Sequence, residues 1–275
     1  MKEVLKLPNR TSEHTPIGDE SMNKLLELRG EKPEFDFTPL DHQEIGEKFD
    51  LFDFDNATKL TGSKFVFMKN EAALMEMALS SWAMSKLVAK GFTAVTTPDI
   101  THGSVLEGCG FSPRDDSSQV YWLEHDHRSP DLCLIGTSEA KMAGMFANEI
   151  IEEKALPIKL AAFSHCFRKE AGKGGMSKGI YRLHQFSKVE MFMFSKPDES
   201  EKLHLELLEI EKEILDELGL HYKVLEMSSE ELGLSAYRKF DIEAWFPARN
   251  DFGEVTSASN CTNFQTKRLN IQFMN

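Results

Sequence analysis

LAAFSHCFRKEAGKGGMSKGIYRLHQFSKVEMFMF, residues 160–194, is the stretch on which the fold turns. Its two ends, 160–170 and 183–194, are rich in apolar and aromatic residues and read as strands. Between them lie Gly172, Gly174, Gly175 and Gly179. Two strands joined this way make a β-loop-β unit rather than half of a helical crossover. The loop fits neither the G-x-x-x-x-G-K-[ST] nor the G-x-G-x-x-G phosphate pattern, so a mobile tip explains its glycines better than a phosphate cradle. Alternation along the first strand sends Arg168 and Glu170 to one face, and Glu190 stands on the returning strand. A fixed guanidinium and two carboxylates can thus share a surface, and the planar fork of arginine suits a phosphate or a carboxylate. A salt bridge on a sheet surface is the other reading of the same spacing.

Outward from this unit, residues 71–90 predict a helix, with Leu74, Ala78 and Trp82 in register and Gly91 as its stop. Residues 92–98 predict a strand and 137–152 a helix. Residues 198–218 predict an amphipathic helix through Leu203, Leu207, Ile210, Ile214 and Leu218, closed by Gly219. Short strands follow near 221–225, 239–244 and 253–257. There is no regular βαβ alternation, so the fold class is α+β: an antiparallel β-sheet with flanking helices. Residues 3–7 read as the end of a helix, 8–20 as an extended linker and 31–41 as loop, with the folded body from about residue 41.

Bulk composition narrows the function. The chain has 275 residues, 41% hydrophobic and 28% charged, enough for one large domain or two small ones. No run of 18 apolar residues occurs, so no membrane partner is expected, and MKEVLKLPNR at the start lacks the apolar core of a signal peptide. A net charge of −13 disfavours a broad nucleic-acid surface. Cys109, Cys133, Cys166 and Cys261 are scattered without a Cys-x-x-Cys pair, which predicts reduced thiols and no zinc. The HDH run at 125–127 lacks helical ligand spacing, and neither H-E-x-x-H nor G-x-S-x-G is present.

Two further stretches carry polar chemistry. Thr137, Ser138 and Glu139 precede a helical run, where a threonine is also an ordinary N-cap. GEVTSASNCTNFQTKRL, residues 253–269, masses small polar groups after a strand. Glu254 and a nearby hydroxyl can hold Mg²⁺, which prefers oxygen ligands and bridges to phosphates. A hydroxyl-rich surface loop is the plain alternative.

In this order and spacing, the stretches resemble the seryl-tRNA synthetases of class II. LPNRTSEHTPIGDES (7–21) resembles the segment joining that family's coiled-coil arm to its catalytic domain, and 31–69 resembles the entry into that domain. GFTAVTTPDI (91–100) resembles motif 1, whose proline, here Pro98, sits near the dimer interface. TSE resembles the serine-binding signature, FRKEAG…YRLHQFSKVEMF resembles motif 2, and FGEVTSASNCTNFQTKRL resembles the strand and loop that bind ATP and metal. HQFSKVE followed by EVTSASNCT is the most specific part. The segments 105–121, 232–247 and 254–262 resemble the animal mitochondrial branch, which implies the mitochondrial matrix, with the cytoplasm as alternative.

The resemblance implies a class II catalytic core and assigns roles. Thr137 and Glu139 would hold the serine amino group within the TSE segment that includes Ser138. Glu190 would receive the serine hydroxyl. Arg168 would contact the α-phosphate and the serine carboxylate. Lys169 would lie with the ATP-binding residues, and Glu170 would meet the adenine end beside Leu183. Glu254 and Ser257 would hold Mg²⁺, with Val255 and Thr256 next to the nucleotide. It implies ATP and L-serine as substrates, tRNA(Ser) as partner and a homodimer. It also implies that 1–22 is the remnant of the arm-to-core linker, and that 23–275 is a catalytic domain short of motif 3, so that the chain is truncated at both ends. An inactive truncated paralogue acting as a dimerising or binding protein, and a ligase loading an amino acid onto a carrier protein, are the alternatives. Retention of Thr137, Glu139, Arg168, Glu190 and Glu254 opposes the first, and the 8–20 linker opposes the second.

Overall fold

The computed structural model describes residues 6–112, 118–124, 131–170 and 179–274. Most of the 3–7 helix end, the HDH run at 125–127 and the glycine-rich tip at 171–178 lie outside the described residues. The chain divides into two compact units. One comprises Met1–Pro39, Asn148–Ile158 and Met193–Asn275, the other Leu40–Ala147 and Lys159–Phe192.

The first unit is built on a four-stranded sheet in the order Lys24–Arg29, Tyr222–Glu226, Arg238–Phe246, Asp251–Asn260, with every neighbouring pair antiparallel. Residues two apart on a strand share a face. Tyr222 and Val224 on one strand, and Phe240, Ile242 and Ala244 on the next, therefore form one apolar surface. Leu208 and Leu215 of the helix Ser200–Glu217 close over it. Burying each such side chain contributes roughly 1.5–3 kcal/mol, which makes this the core of the unit. The helix stops where Gly219 takes φ +67, a conformation that costs glycine nothing. On the edge strand, Arg29 pairs with Asp216 at 2.5 Å and Glu27 with Lys212 at 2.8 Å, tying the strand back to the helix.

The second unit contains the helix Asn70–Ala89, which passes through Gly91 (φ +88) into the strand Thr93–Thr96. That strand runs parallel to Ile158–Phe167, whose other neighbour is Gln185–Phe194. The α+β class holds, and each unit has both kinds of pairing: the first adds the parallel pair Ile150–Glu152 with Gln272–Met274, and the second the antiparallel pairs Phe52–Asp53 with Phe67–Met68 and Ile100–His102 with Leu132–Leu134.

Three expectations need correction. The helix foreseen over 137–152 is only Glu139–Gly144, because Asn148 turns the backbone left-handed (φ +64) and Ile150–Glu152 is a strand paired with Gln272–Met274. The strand foreseen to residue 170 ends at Phe167, and Glu170 has φ +46, so simple alternation does not place Arg168 and Glu170. Folded structure also begins before residue 41, with Lys24–Arg29. Residues 8–20 lack strands, as an extended linker does, and they pack against the rest of the first unit. The Asn9 and Ser12 amides donate to Leu234 and Tyr237 carbonyls at 2.9 Å, and Ser12 and Thr15 are buried.

Candidate active site

Glu190 is the centre of the site in the second unit. Its strand, Gln185–Phe194, carries Lys188 two residues earlier and therefore on the same face. The Lys188 ammonium lies 2.9 Å from Glu190 Oε1 and 2.8 Å from Thr137 Oγ1. The Thr137 hydroxyl lies 2.7 Å from both carboxylate oxygens. Ser138 Oγ donates to Oε2 at 2.6 Å, and the Glu139 amide donates to Oε2 at 3.0 Å. The TSE segment is thereby folded around a carboxylate. The capping reading of Thr137 survives only as a minor contact, since the Glu139 amide also lies 3.3 Å from its hydroxyl.

Two opposed effects set the charge of Glu190, whose side chain is 16% exposed. Burial pushes its pKa up. Lys188 and the hydrogen bonds from Ser138, Lys188 and Thr137 push it down, and they win, so the carboxyl sits below the usual glutamate range. The result is an ionised carboxylate in a confined place, crowded with small donors that another hydroxyl can replace.

Arg168 is anchored just past the strand end. Its Nε and Nη2 point to the Gly136 carbonyl at 3.4 and 3.2 Å, and its guanidinium lies over the Phe186 ring at 5.1 Å. Its backbone is held as firmly. The amide donates to the His184 carbonyl at 2.9 Å, and His184 Nδ1 lies 2.9 Å from the Arg168 carbonyl and 2.8 Å from the Tyr121 hydroxyl. The Lys169 amide donates to the Gln119 carbonyl. Glu170 pairs with Arg182 at 3.5 Å, and Leu183 is buried. The sheet-surface salt bridge open at the sequence level is therefore not an Arg168 pair with these carboxylates: Glu170 meets Arg182 and Glu190 meets Lys188.

The second group, Glu254, Val255, Thr256 and Ser257, lies in the first unit on the strand Asp251–Asn260. Residues 254 and 257 would face opposite ways in a regular strand. Here Thr256 pairs with Ile242 but Glu254 with Glu243, so Val255 is an extra residue, a β-bulge. Ser257 pairs with Asp241, and Asp241 and Glu243 share a face of their own strand. The bulge thus brings Glu254 and Ser257 to one face, both exposed, while Thr256 turns toward the helix Ser200–Glu217. A carboxylate and a hydroxyl on one open face suit a hard cation that takes its remaining ligands from water and phosphate. Among the described residues, no cluster of three or more His, Cys, Asp or Glu gathers as metal ligands.

The sequence reading passed over Lys188, His184 and Tyr121. Lys188 was legible, since HQFSKVE places it two residues from Glu190 on a strand. The contacts of His184 and Tyr121 depend on chain segments far apart and had no local signal.

A family model described as the tRNA synthetase class II core domain (G, H, P, S and T) matches residues 121–275. The chain belongs to that family. Within it the similarity runs to proteins that handle serine. The chain is 47% identical over 273 residues to the serine–tRNA ligase of Borrelia recurrentis, covering 98% of this chain and 63% of that protein. It is 46% identical over 274 residues to the one from Rubrobacter xylanophilus, covering 99% and 64%. Among solved structures, seryl-tRNA synthetase from Pyrococcus horikoshii complexed with ATP superposes with a TM-score of 0.94 at 37% identity, over 100% of this chain and 65% of that one. Cytoplasmic serine–tRNA ligase from Naegleria fowleri in complex with AMP gives 0.92 at 30% identity, over 99% and 65%. The chain therefore spans a little under two thirds of the length of these relatives.

The charge balance at Glu190 sets a pH test. Its folded pKa is below the ordinary value of 4.5, so it contributes stability that is present above that pH and lost as pH falls below it. In Lys188→Met, burial acts with less opposition, so the folded pKa rises and the stability gained as pH rises shrinks. Thermal melts from pH 3 to 7 should show a smaller gain in stability with pH in the variant than in wild type. At pH 7 the loss should be about 2 kcal/mol, below the roughly 3–5 kcal/mol for breaking a fully buried pair, because Lys188 is 30% exposed.

Proposed function

We propose that the protein is a serine–tRNA ligase. It activates L-serine with ATP to seryl-adenylate and pyrophosphate, then transfers the seryl group to tRNA(Ser). The observation that carries this is the Glu190 carboxylate ringed by the Thr137 and Ser138 hydroxyls and the Lys188 ammonium, an arrangement that suits a hydroxyl ligand. Similarity to serine–tRNA ligases supports the same reading.

In this reading a serine carboxylate oxygen attacks the α-phosphorus of ATP. A carboxyl–phosphate bond forms, the α–β bridging bond breaks, and pyrophosphate leaves with the electron pair. The protein's share is positioning and charge stabilisation. Glu190 accepts the serine side-chain hydroxyl, displacing one of its present donors. Thr137 and Glu139 hold the amino group. Arg168, fixed at both backbone and guanidinium, faces the carboxylate and the α-phosphate. Lys169 and Glu170 belong to the ATP-binding set, with Leu183 beside the adenine. Val255 and Thr256 flank the nucleotide, and Glu254 and Ser257 would hold Mg²⁺, which would neutralise phosphate charge when bound.

Rejection of alanine follows from the same cluster. A methyl group placed against Glu190 pushes aside a donor and supplies none, leaving a buried charge poorly solvated.

Serine-dependent exchange of pyrophosphate into ATP tests the proposal directly. Exchange with serine and not with alanine is the expected result, and exchange indifferent to the amino acid would overturn it. Arg168→Ala should lower the rate on the order of 10²–10³-fold, the usual cost of one charge-stabilising group. An unchanged rate would remove Arg168 from the reaction.

The homodimer belongs to the same proposal. On the helix Asn70–Ala89, Leu74, Met75 and Met77 are 63, 69 and 60% exposed, and Leu79 and Val88 are exposed as well. So many open apolar side chains on one helix fit an interface rather than a solvated surface. Sedimentation should give twice the 31.2 kDa chain mass, and Met77→Glu should return it to the single value. A monomeric wild type would exclude this surface. Placement in the mitochondrial matrix rests on the segments 105–121, 232–247 and 254–262 alone, and fractionation of the cellular protein with cytosol would refute it.

A further inference from the structure

The helix Ser200–Glu217 meets the strand Asp251–Asn260 through three polar contacts on alternate residues. Asn260 Nδ2 donates to Ser200 Oγ at 3.4 Å, His204 Nε2 lies 3.0 Å from the Ala258 carbonyl, and Thr256 Oγ1 donates to Glu211 Oε1 at 2.7 Å. The third differs from the others in position and in kind. It grips the residue immediately after the bulged Val255. It is also made by a carboxyl that is 7% exposed, with Oε2 buried and without a hydrogen-bond partner.

Such a group is a poor choice for stability alone. A buried polar atom left unpaired costs on the order of 1–3 kcal/mol, and an apolar side chain of similar shape would avoid that. Burial pushes the Glu211 pKa up to about 8, against the hydrogen bond from Thr256 and with the help of the negative charges of Asp241 and Glu254. At neutral pH it is chiefly a neutral acid, for which glutamine is a close substitute in shape and hydrogen bonding.

We propose that Glu211 is a positioning residue: by anchoring Thr256 it holds the bulge at Val255, and the bulge is what turns Glu254 and Ser257 to one face. The functional part rests on the reading above, in which those two residues hold a divalent cation with ATP. The tether bears on this point because a bulge leaves its extra residue unpaired and the ladder locally disrupted, so fewer backbone bonds hold the strand there. If the bulge were lost and the strand regular, Glu254 and Ser257, three residues apart, would face opposite ways. The tethers at 258 and 260 lie further from the bulge, toward the strand end.

The test compares wild type with Glu211→Gln, Glu211→Leu and Thr256→Val by two measurements on the chain. The first is hydrogen exchange of the backbone amides at 254–257. Glu211→Leu and Thr256→Val should each speed exchange there about tenfold, as loss of one hydrogen bond at a single site implies, with the strand Tyr222–Glu226 unchanged. Glu211→Gln should match wild type. The second is ATP binding with Mg²⁺ and with EDTA. Glu211→Leu should lose about tenfold in affinity with Mg²⁺ and nothing in EDTA, while Glu211→Gln keeps both. Wild-type exchange in both Glu211→Leu and Thr256→Val, or uniform acceleration across the sheet, would overturn the role of Glu211. If wild type itself gains no affinity for ATP from Mg²⁺, the cation reading fails, and the exchange measurement still decides whether Glu211 holds the bulge.

Discussion

A single carboxylate organises the second unit's site. Glu190 receives the Thr137 and Ser138 hydroxyls, the Glu139 amide and the Lys188 ammonium, all within 3.0 Å. An ionised carboxylate has about four lone-pair positions, so this one is saturated. Saturation has a structural effect and a chemical one. It pulls the TSE segment onto the strand Gln185–Phe194 and starts the short helix Glu139–Gly144 there. It also keeps a buried acid charged, because Lys188 and the hydroxyls outweigh burial. A carboxylate so poised exchanges one small hydroxyl donor for another at little cost, which is what recognition of a hydroxyl side chain requires.

The first unit solves a different problem with the opposite device. There a carboxyl is buried without a cation, so Glu211 is driven toward its neutral form and acts as a plain hydrogen-bonding strut. The contrast shows what decides the state of a buried acid. Glu190 has Lys188 at 2.9 Å, whereas Glu211 has Thr256 and the repulsion of Asp241 and Glu254. Both acids shape the chain around them, Glu190 by gathering the TSE segment and Glu211 by holding a bulge.

Much of this was legible in the sequence where local pattern decides. The amphipathic stripe through Leu203 and Ile210 marks the helix Ser200–Glu217, and Gly91 and Gly219 mark helix ends. Thr137, Ser138, Glu190, Glu254 and Ser257 were singled out, and the structure brings the first three together and the last two onto one face. The misses share a cause, which is dependence on distant partners. Ile150–Glu152 reads locally as the tail of a helix and becomes a strand because Gln272–Met274 lies beside it. The left-handed backbone of Glu170 cannot be read from alternation. The bulge at Val255 appears only once the register with Arg238–Phe246 is known, although without it Glu254 and Ser257 could not face one way. Lys188 was the avoidable miss, since strand periodicity alone pairs it with Glu190.

The most direct test of the central claim is calorimetric titration of L-serine and L-alanine into wild type and Glu190→Ala. If Glu190 reads the hydroxyl, wild type should favour serine by roughly 2 kcal/mol or more, about thirtyfold, and Glu190→Ala should lose most of that preference. Equal preference for serine in wild type and variant would place hydroxyl recognition elsewhere and contradict the account.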